Sequence, residues 1–255
     1  MAQENAAASF EQLCEVDADA PTLIEGLPGH GLVAAIAVDQ LTEQLGLTHC
    51  GNIASEEFPP VVTFEDGLVQ DLVRVYAGGD SGIMTLESDL ALPQQAFEPL
   101  SRCVLEELAD DFSRAIFLAG APAESEDQIG EVTGVATTEA IRADLEEAGI
   151  DVPEETGLVG GVTGALVRRC YQHDVPAALL IVRAHPFLPD PRAAQSVIEN
   201  ALEPLVDFDI DTAPLEEQAD EIQQRMHQIA EQYQQMAEGQ QAQQQQQPPA
   251  TGMFQ

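Results

Sequence analysis

The run Gly26-Leu27-Pro28-Gly29-His30-Gly31 falls between a short apolar segment and an apolar segment of helical period. A helix that starts at such a turn points its free N–H groups at whatever sits in the loop, so a phosphate or nucleotide is one possible occupant. His30 would then be the general acid or base. The run lacks the Gly-x-Gly-x-x-Gly order, however, and no second catalytic group accompanies His30. A loop that only shapes the backbone explains it more simply.

Two further runs carry residue types capable of chemistry. Gly79-Asp80-Ser81-Gly82 matches the surroundings of a trypsin-like nucleophile, but that serine needs a histidine and a carboxylate in register, and none of the five histidines has such a setting. Glycine and aspartate are standard turn formers, so this run is expected to be a hairpin loop. Ser55-Glu56-Glu57-Phe58-Pro59-Pro60 sets two carboxylates side by side, as an acid–base pair or a cation site would. Among 45 acidic residues such pairs arise by chance, and a rigid solvated loop is the default. Phe58 there points to a packed edge or a subunit contact. Cys14, Cys50, Cys103 and Cys170 lie far apart, with no Cys-x-x-Cys, so neither zinc nor a dense disulfide frame is expected, and the compartment reads as reducing.

Composition removes whole classes of partner. The 255 residues carry 45 acidic side chains against 9 arginines and no lysine, a formal charge of −36. Nucleic acid and anionic membranes need a basic surface, which is missing. Walker-type phosphate loops and Schiff-base chemistry need a lysine. The apolar fraction of 44% is ordinary, so the acidity is a property of the surface and not of a chain unable to form a core. It fits a halophile-like cytoplasm, where salt screens self-repulsion. The fold should therefore require salt, and a melting temperature equal in molar and millimolar salt would contradict this. With no signal-peptide pattern and no long apolar run, a cytoplasmic protein is expected.

The elements that must position these residues alternate. Strands are expected at Thr22 to Glu25, Val61 to Phe64, Leu72 to Ala77, Ile83 to Leu86, Ala115 to Ala119, Leu158 to Val162 and Ala178 to Val182. Helices are expected from Leu32 to Leu45, from near Pro93, from Thr137 to Glu147, from Gly164 to Tyr171, and after Asp190, a good N-cap, with Pro191 in the first turn. Residues 1–20 read as a loose acidic start, and 21–212 as one three-layer α/β/α domain with a mostly parallel sheet. In 213–238, Leu215, Ala219, Ile222, Met226, Ile229, Tyr233 and Met236 recur at alternating steps of four and three, a heptad seam suited to a C-terminal oligomerisation helix. The alternative is an amphipathic helix lying on its own domain. Residues 239–255 are expected to form a flexible, Gln-rich tail that ends Met253-Phe254-Gln255, built like a docking peptide because terminal-carboxylate capture is a recurring recognition mode.

Five motifs occur in the order found in one family: Leu27 to Val33, Ser55 to Pro60, Gly134-Val135-Ala136-Thr137, Gly160-Gly161-Val162-Thr163-Gly164 and Pro189 to Ala194. Over roughly Pro21 to Asp211 the chain resembles the archaeal proteasome assembly chaperones, relatives of the second eukaryotic proteasome assembly chaperone. The resemblance implies a non-enzymatic, cofactor-free homo-oligomer that binds the α-subunits of the 20S proteasome. Met253 would then be the hydrophobic anchor, Phe254 the aromatic plug, and the Gln255 carboxylate the partner of a pocket lysine. The family's tail has tyrosine where Phe254 stands, so one hydroxyl hydrogen bond is missing, worth about 0.5 to 1.5 kcal/mol. The rival reading is a nucleotide- or phosphate-binding α/β enzyme, phosphorylase- or hydrolase-like, that uses the Gly26 to Gly31 loop.

Overall fold

The computed structural model describes residues 8–14, 20–78 and 81–225. Ten strands are formed among them: β1 (Ala8–Gln12), β2 (Thr22–Gly26), β3 (Thr48–Ser55), β4 (Thr63–Glu65), β5 (Leu68–Gln70), β6 (Val73–Ala77), β7 (Ile83–Ser88), β8 (Arg114–Pro122), β9 (Val132–Ala136) and β10 (Ala177–Ala184). Eight make one sheet in the order β1-β3-β6-β7-β2-β8-β10-β9, and β4 and β5 form a separate hairpin. The four central strands β7, β2, β8 and β10 are parallel, as an alternating strand and helix pattern demands. The pairings outside them are antiparallel; β6 and β7 are consecutive along the chain, whereas β1 and β9 meet their partners through long connections.

Helices cover both faces, giving the expected three layers. On one face lie α1 (Val33–Gln44), α3 (Glu139–Glu147) and α5 (Pro191–Val197), with Ala37, Leu41, Leu145, Ala194 and Val197 fully buried. A π-helical turn, Ile198–Leu202, continues α5 into α6 (Glu203–Val206). On the other face lie α2 (Phe97–Glu107) and α4 (Gly161–Gln172), which bury Leu100, Val104, Leu166 and Cys170. The pleat of the strands sends alternate residues to each core: Ile24, Ile116 and Leu180 to the first, Leu23, Phe117 and Leu179 to the second. Local caps agree with the sequence. Asp190 accepts from Ala193 N–H and Thr138 from Ile141 N–H, both in the N-cap geometry.

Several sequence expectations need correction. Leu158 to Val162 is not a strand: β10 already has β8 and β9 as neighbours, Leu158 is 97% exposed, and α4 begins at Gly161, earlier than the expected Gly164. The strand expected at Val61 to Phe64 is shifted to Thr63–Glu65 and belongs to the β4–β5 hairpin, whose Asp66-Gly67 turn has positive φ at both positions. Within the start that read as loose, Ala8–Gln12 is β1, paired to β3 along its whole length. Cys14 and Cys50 form a disulfide, which widely spaced cysteines did not announce. Cys103 and Cys170 stay free, and burial pushes both thiols up to about 12, so neither is a ready nucleophile.

Residues 213–225 are helical, and the first positions of the heptad seam face the domain itself. Leu215 is in the core, Ala219 is buried and Ile222 half-buried, while Arg192 of α5 pairs with Asp220 at 2.8 Å. Met226, Ile229, Tyr233 and Met236 lie outside the described residues.

Candidate functional site

The C-terminal ends of the parallel strands gather three of the five sequence motifs. β2 leads into the Gly26 to Gly31 loop, whose last turn, His30–Leu32, is 3-10 helical and feeds α1. Gly31 and Leu32 both have left-handed backbone, at φ 65° and 51°. Gly31 tolerates this freely, whereas Leu32 pays about 1 to 2 kcal/mol. The turn is held from outside: Asp190 N–H donates to Gly31 O at 2.8 Å, and a Cβ on Gly31 would sit 2.8 Å from that of Ala184. Asp190 itself accepts from His185 N–H at 2.7 Å and Ala193 N–H at 3.1 Å. The Gly26 loop and the Pro189 to Ala194 motif are thus one unit.

The glycine motif at Gly160 to Gly164 joins through Glu25, which sequence reading passed over inside an apolar strand. Strand alternation places Glu25 beside Leu23, on the face covered by α4, where it is completely buried. Its carboxyl accepts from Leu27 N–H at 3.2 Å, Leu118 N–H at 3.4 Å and Thr163 Oγ1 at 3.4 Å. Burial outweighs these three donors and pushes its pKa up to about 8. At neutral pH Glu25 is a neutral acid that ties β2, β8 and α4 together. The available signal was a carboxylate one residue before a glycine turn, in a strand too apolar to face water.

His30 is half-buried, and its Nε2 finds no hydrogen-bond partner among the described residues. Its carbonyl presses on Gly120 of β8, where an added Cβ would lie 2.0 Å from His30 O. Close backbone packing, and not a catalytic pairing, accounts for the glycine at 120. Ser81 Oγ donates to Gly78 O at 3.2 Å within the β6–β7 turn, so the hairpin reading of that run holds at its described end. Ser55 closes β3 and accepts from Glu57 N–H, which gives the Glu56-Glu57 loop its shape, and Phe58 packs against the α2–α4 core. The tail residues Met253, Phe254 and Gln255 lie outside the described residues.

A cleft of about 240 Å³ opens on the far side of the same loop, walled by Gly26, Pro28, Leu32, Asp39, Arg74 and Asp89, with Glu87 at its side. His30 is not part of its wall. Arg74 gives Asp89 two hydrogen bonds, at 2.6 and 3.1 Å, and holds that carboxyl below its usual range. Asp39 and Glu87 have no guanidinium of their own. Burial raises the pKa of both, with Glu43 adding to the rise at Asp39. A phosphate in this cleft would meet carboxyls where it needs donors, which counts against the nucleotide reading of the loop.

Comparison with known proteins follows the same geometry. Uncharacterized protein MJ0106 of Methanocaldococcus jannaschii is 26% identical over 225 residues, covering 88% of this chain and 91% of the relative. Pyrococcus furiosus PbaA, an archaeal homologue of proteasome-assembly chaperone, aligns over 92% of this chain and 97% of its own at TM-score 0.79 and 24% identity. Pyrococcus furiosus PbaB, an archaeal proteasome activator, aligns over 88% and 99% at TM-score 0.76 and 19% identity. At these identities the two structures establish the fold. The PAC2 family profile matches residues 23–230, which takes in the sheet apart from β1, both helical layers and all five motifs, and the chain belongs to the PAC2 family.

Proposed function

We propose that this chain is a non-enzymatic assembly chaperone or activator of the 20S proteasome, docking on its α-subunits through Met253, Phe254 and the carboxylate of Gln255. The observation that supports this reading is that one fold, over roughly nine-tenths of the chain, is shared with both a proteasome-assembly chaperone homologue and a proteasome activator. The acidic surface is then an adaptation to salt rather than a binding device, and specificity falls to a few apolar residues. Because the chain has no lysine of its own, a lysine that pairs with the terminal carboxylate comes from the partner. If they behave as a flexible coil, the 13 residues from Gly239 to Thr251 would span about 20 Å root-mean-square, and several such tails on one homo-oligomer would act together by effective concentration. In the cytoplasm, the later positions of the heptad pattern, Met226, Ile229, Tyr233 and Met236, would bring the copies together.

The test is binding to purified proteasome α-subunits at high salt, for the full chain and for a variant lacking residues 253–255. We expect a loss of at least tenfold in affinity, because each tail contributes its apolar burial and one desolvated carboxylate contact. Equal binding would refute the tail mechanism while leaving the family's partner open. Phe254→Tyr should tighten the complex, by up to about tenfold if the hydroxyl regains one hydrogen bond.

A further inference from the structure

The disulfide and the strand beside it form a device that nothing above uses. β1 is an edge strand: its only sheet neighbour is β3, and its side chains are half-buried or exposed throughout. Three features besides the ladder hold it. The Phe10 ring lies on Gly51, where a Cβ would be 2.2 Å from the ring; Phe10 N–H, which points away from β3, donates to Glu107 Oε2 of α2 at 2.9 Å; and Leu13 N–H donates to Cys50 O at 2.8 Å. The Cys14–Cys50 bond then joins the end of β1 covalently to the middle of β3, closing a loop with a sequence separation of 36. Such a strand, with little buried apolar surface of its own, belongs to the least stable part of a fold.

We propose that Cys14–Cys50 is a redox latch, and that its reduction releases β1 from β3 while the rest of the domain stays folded. Cys14 is half-buried and Cys50 almost wholly buried, so an external dithiol attacks the Cys14 sulfur first. One thiolate of the dithiol bonds to Cys14 Sγ, and Cys50 Sγ leaves with the bonding pair and takes a proton. The second thiol of the reagent then displaces Cys14 as its own thiol, so two electrons and two protons pass from the dithiol to the protein. The released Cys50 thiol already has an acceptor, since its Sγ lies 3.8 Å from Ala77 O. The departing strand uncovers backbone groups of Gly51–Ser55 and the open face of Gly51. It also frees Glu107, which capped the outer edge of β1. The device thus converts the redox state of its surroundings into an available sheet edge.

Hydrogen exchange of the full chain at high salt, with and without a dithiol reductant, tests this. Amides of residues 8–12 and 51–55 should exchange at least tenfold faster after reduction, while those of residues 23–25, 115–118 and 179–182 change less than twofold. The Cys14→Ser/Cys50→Ser double variant should show the fast pattern without reductant and no response to it. Unchanged exchange at 51–55 on reduction would overturn the latch. So would equal acceleration everywhere, because the bond would then stabilise the whole domain. Two free thiols at 14 and 50 in protein exposed to oxidised glutathione would overturn it at the first step.

Discussion

Gly120→Ala is expected to lower the stability of the domain by about 3 kcal/mol or more, seen as a fall in the denaturant midpoint at high salt. The added methyl would stand 2.0 Å from His30 O and 2.8 Å from its carbonyl carbon. Both are main-chain atoms, so no rotamer change relieves the clash. The loop is pinned by the Asp190 to Gly31 hydrogen bond and by the left-handed turn at Gly31 and Leu32. β8 cannot retreat either, because β2 and β10 bind it on both sides. Gly29→Ala is the control: its backbone is extended, nothing lies within 4 Å of the new Cβ, and the change should stay within about 0.5 kcal/mol. If the two variants unfold at the same midpoint, the loop is free to lift and is not the keystone described above.

Glu25→Gln should stabilise the protein, and by more as the pH rises. The Glu25 pKa is raised from 4.5 to about 8 in the folded state, chiefly because burial disfavours the charged form. Between those values the folded chain holds one proton that the unfolded chain releases. Folding stability from this group is therefore complete below pH 4.5 and is lost progressively as pH climbs towards 8. At pH 7 the cost of keeping the proton is about 3 kcal/mol, from 1.36 kcal/mol per unit. Glutamine avoids that cost: its carbonyl, in place of Oε1, accepts from Leu27 N–H, and its amide, in place of Oε2, donates to Thr163 Oγ1 while giving up the long 3.4 Å contact with Leu118 N–H. The expected result is a melting temperature roughly 5 to 10 °C above the parent at pH 8, with the two proteins converging near pH 4. A variant less stable at every pH would mean that an ionised Glu25 is the form the site prefers.

These two residues mark where sequence reading stops. The central strands were legible because each is a short apolar run bounded by glycine or proline, and α2 and α5 because their apolar spacing survives in the chain. Asp190 was legible as a cap because the chemistry of an N-cap is local. Glu25 was not, because its partners, Leu118 and Thr163, are 93 and 138 residues away. β1 was missed for a related reason. Ala8-Ser-Phe-Glu-Gln12 has little apolar pattern of its own, and it becomes a strand through the edge of β3 and the bond to Cys50. β3 itself, Thr48–Ser55, carries glycine, asparagine and histidine, so it reads as a loop until both neighbours are in place. Leu158 to Val162 failed in the opposite direction, since apolar residues make a strand only where a sheet has a vacant side.

The strand order also governs when the molecule can become itself. β3, β6 and β7 are consecutive in the main sheet and antiparallel, so that half can zip together from nearby partners. The parallel centre cannot. β2 waits for β8, which starts 92 residues later at Arg114, and β8 waits for its second neighbour until Ala177–Ala184 has been synthesised. During translation, the glycine loop beside His30 is therefore made early but has no floor at Gly120 and no clasp from Asp190 until almost three-quarters of the chain exists. The motifs that characterise the chain assemble last, so a ribosome-bound intermediate carries them unformed.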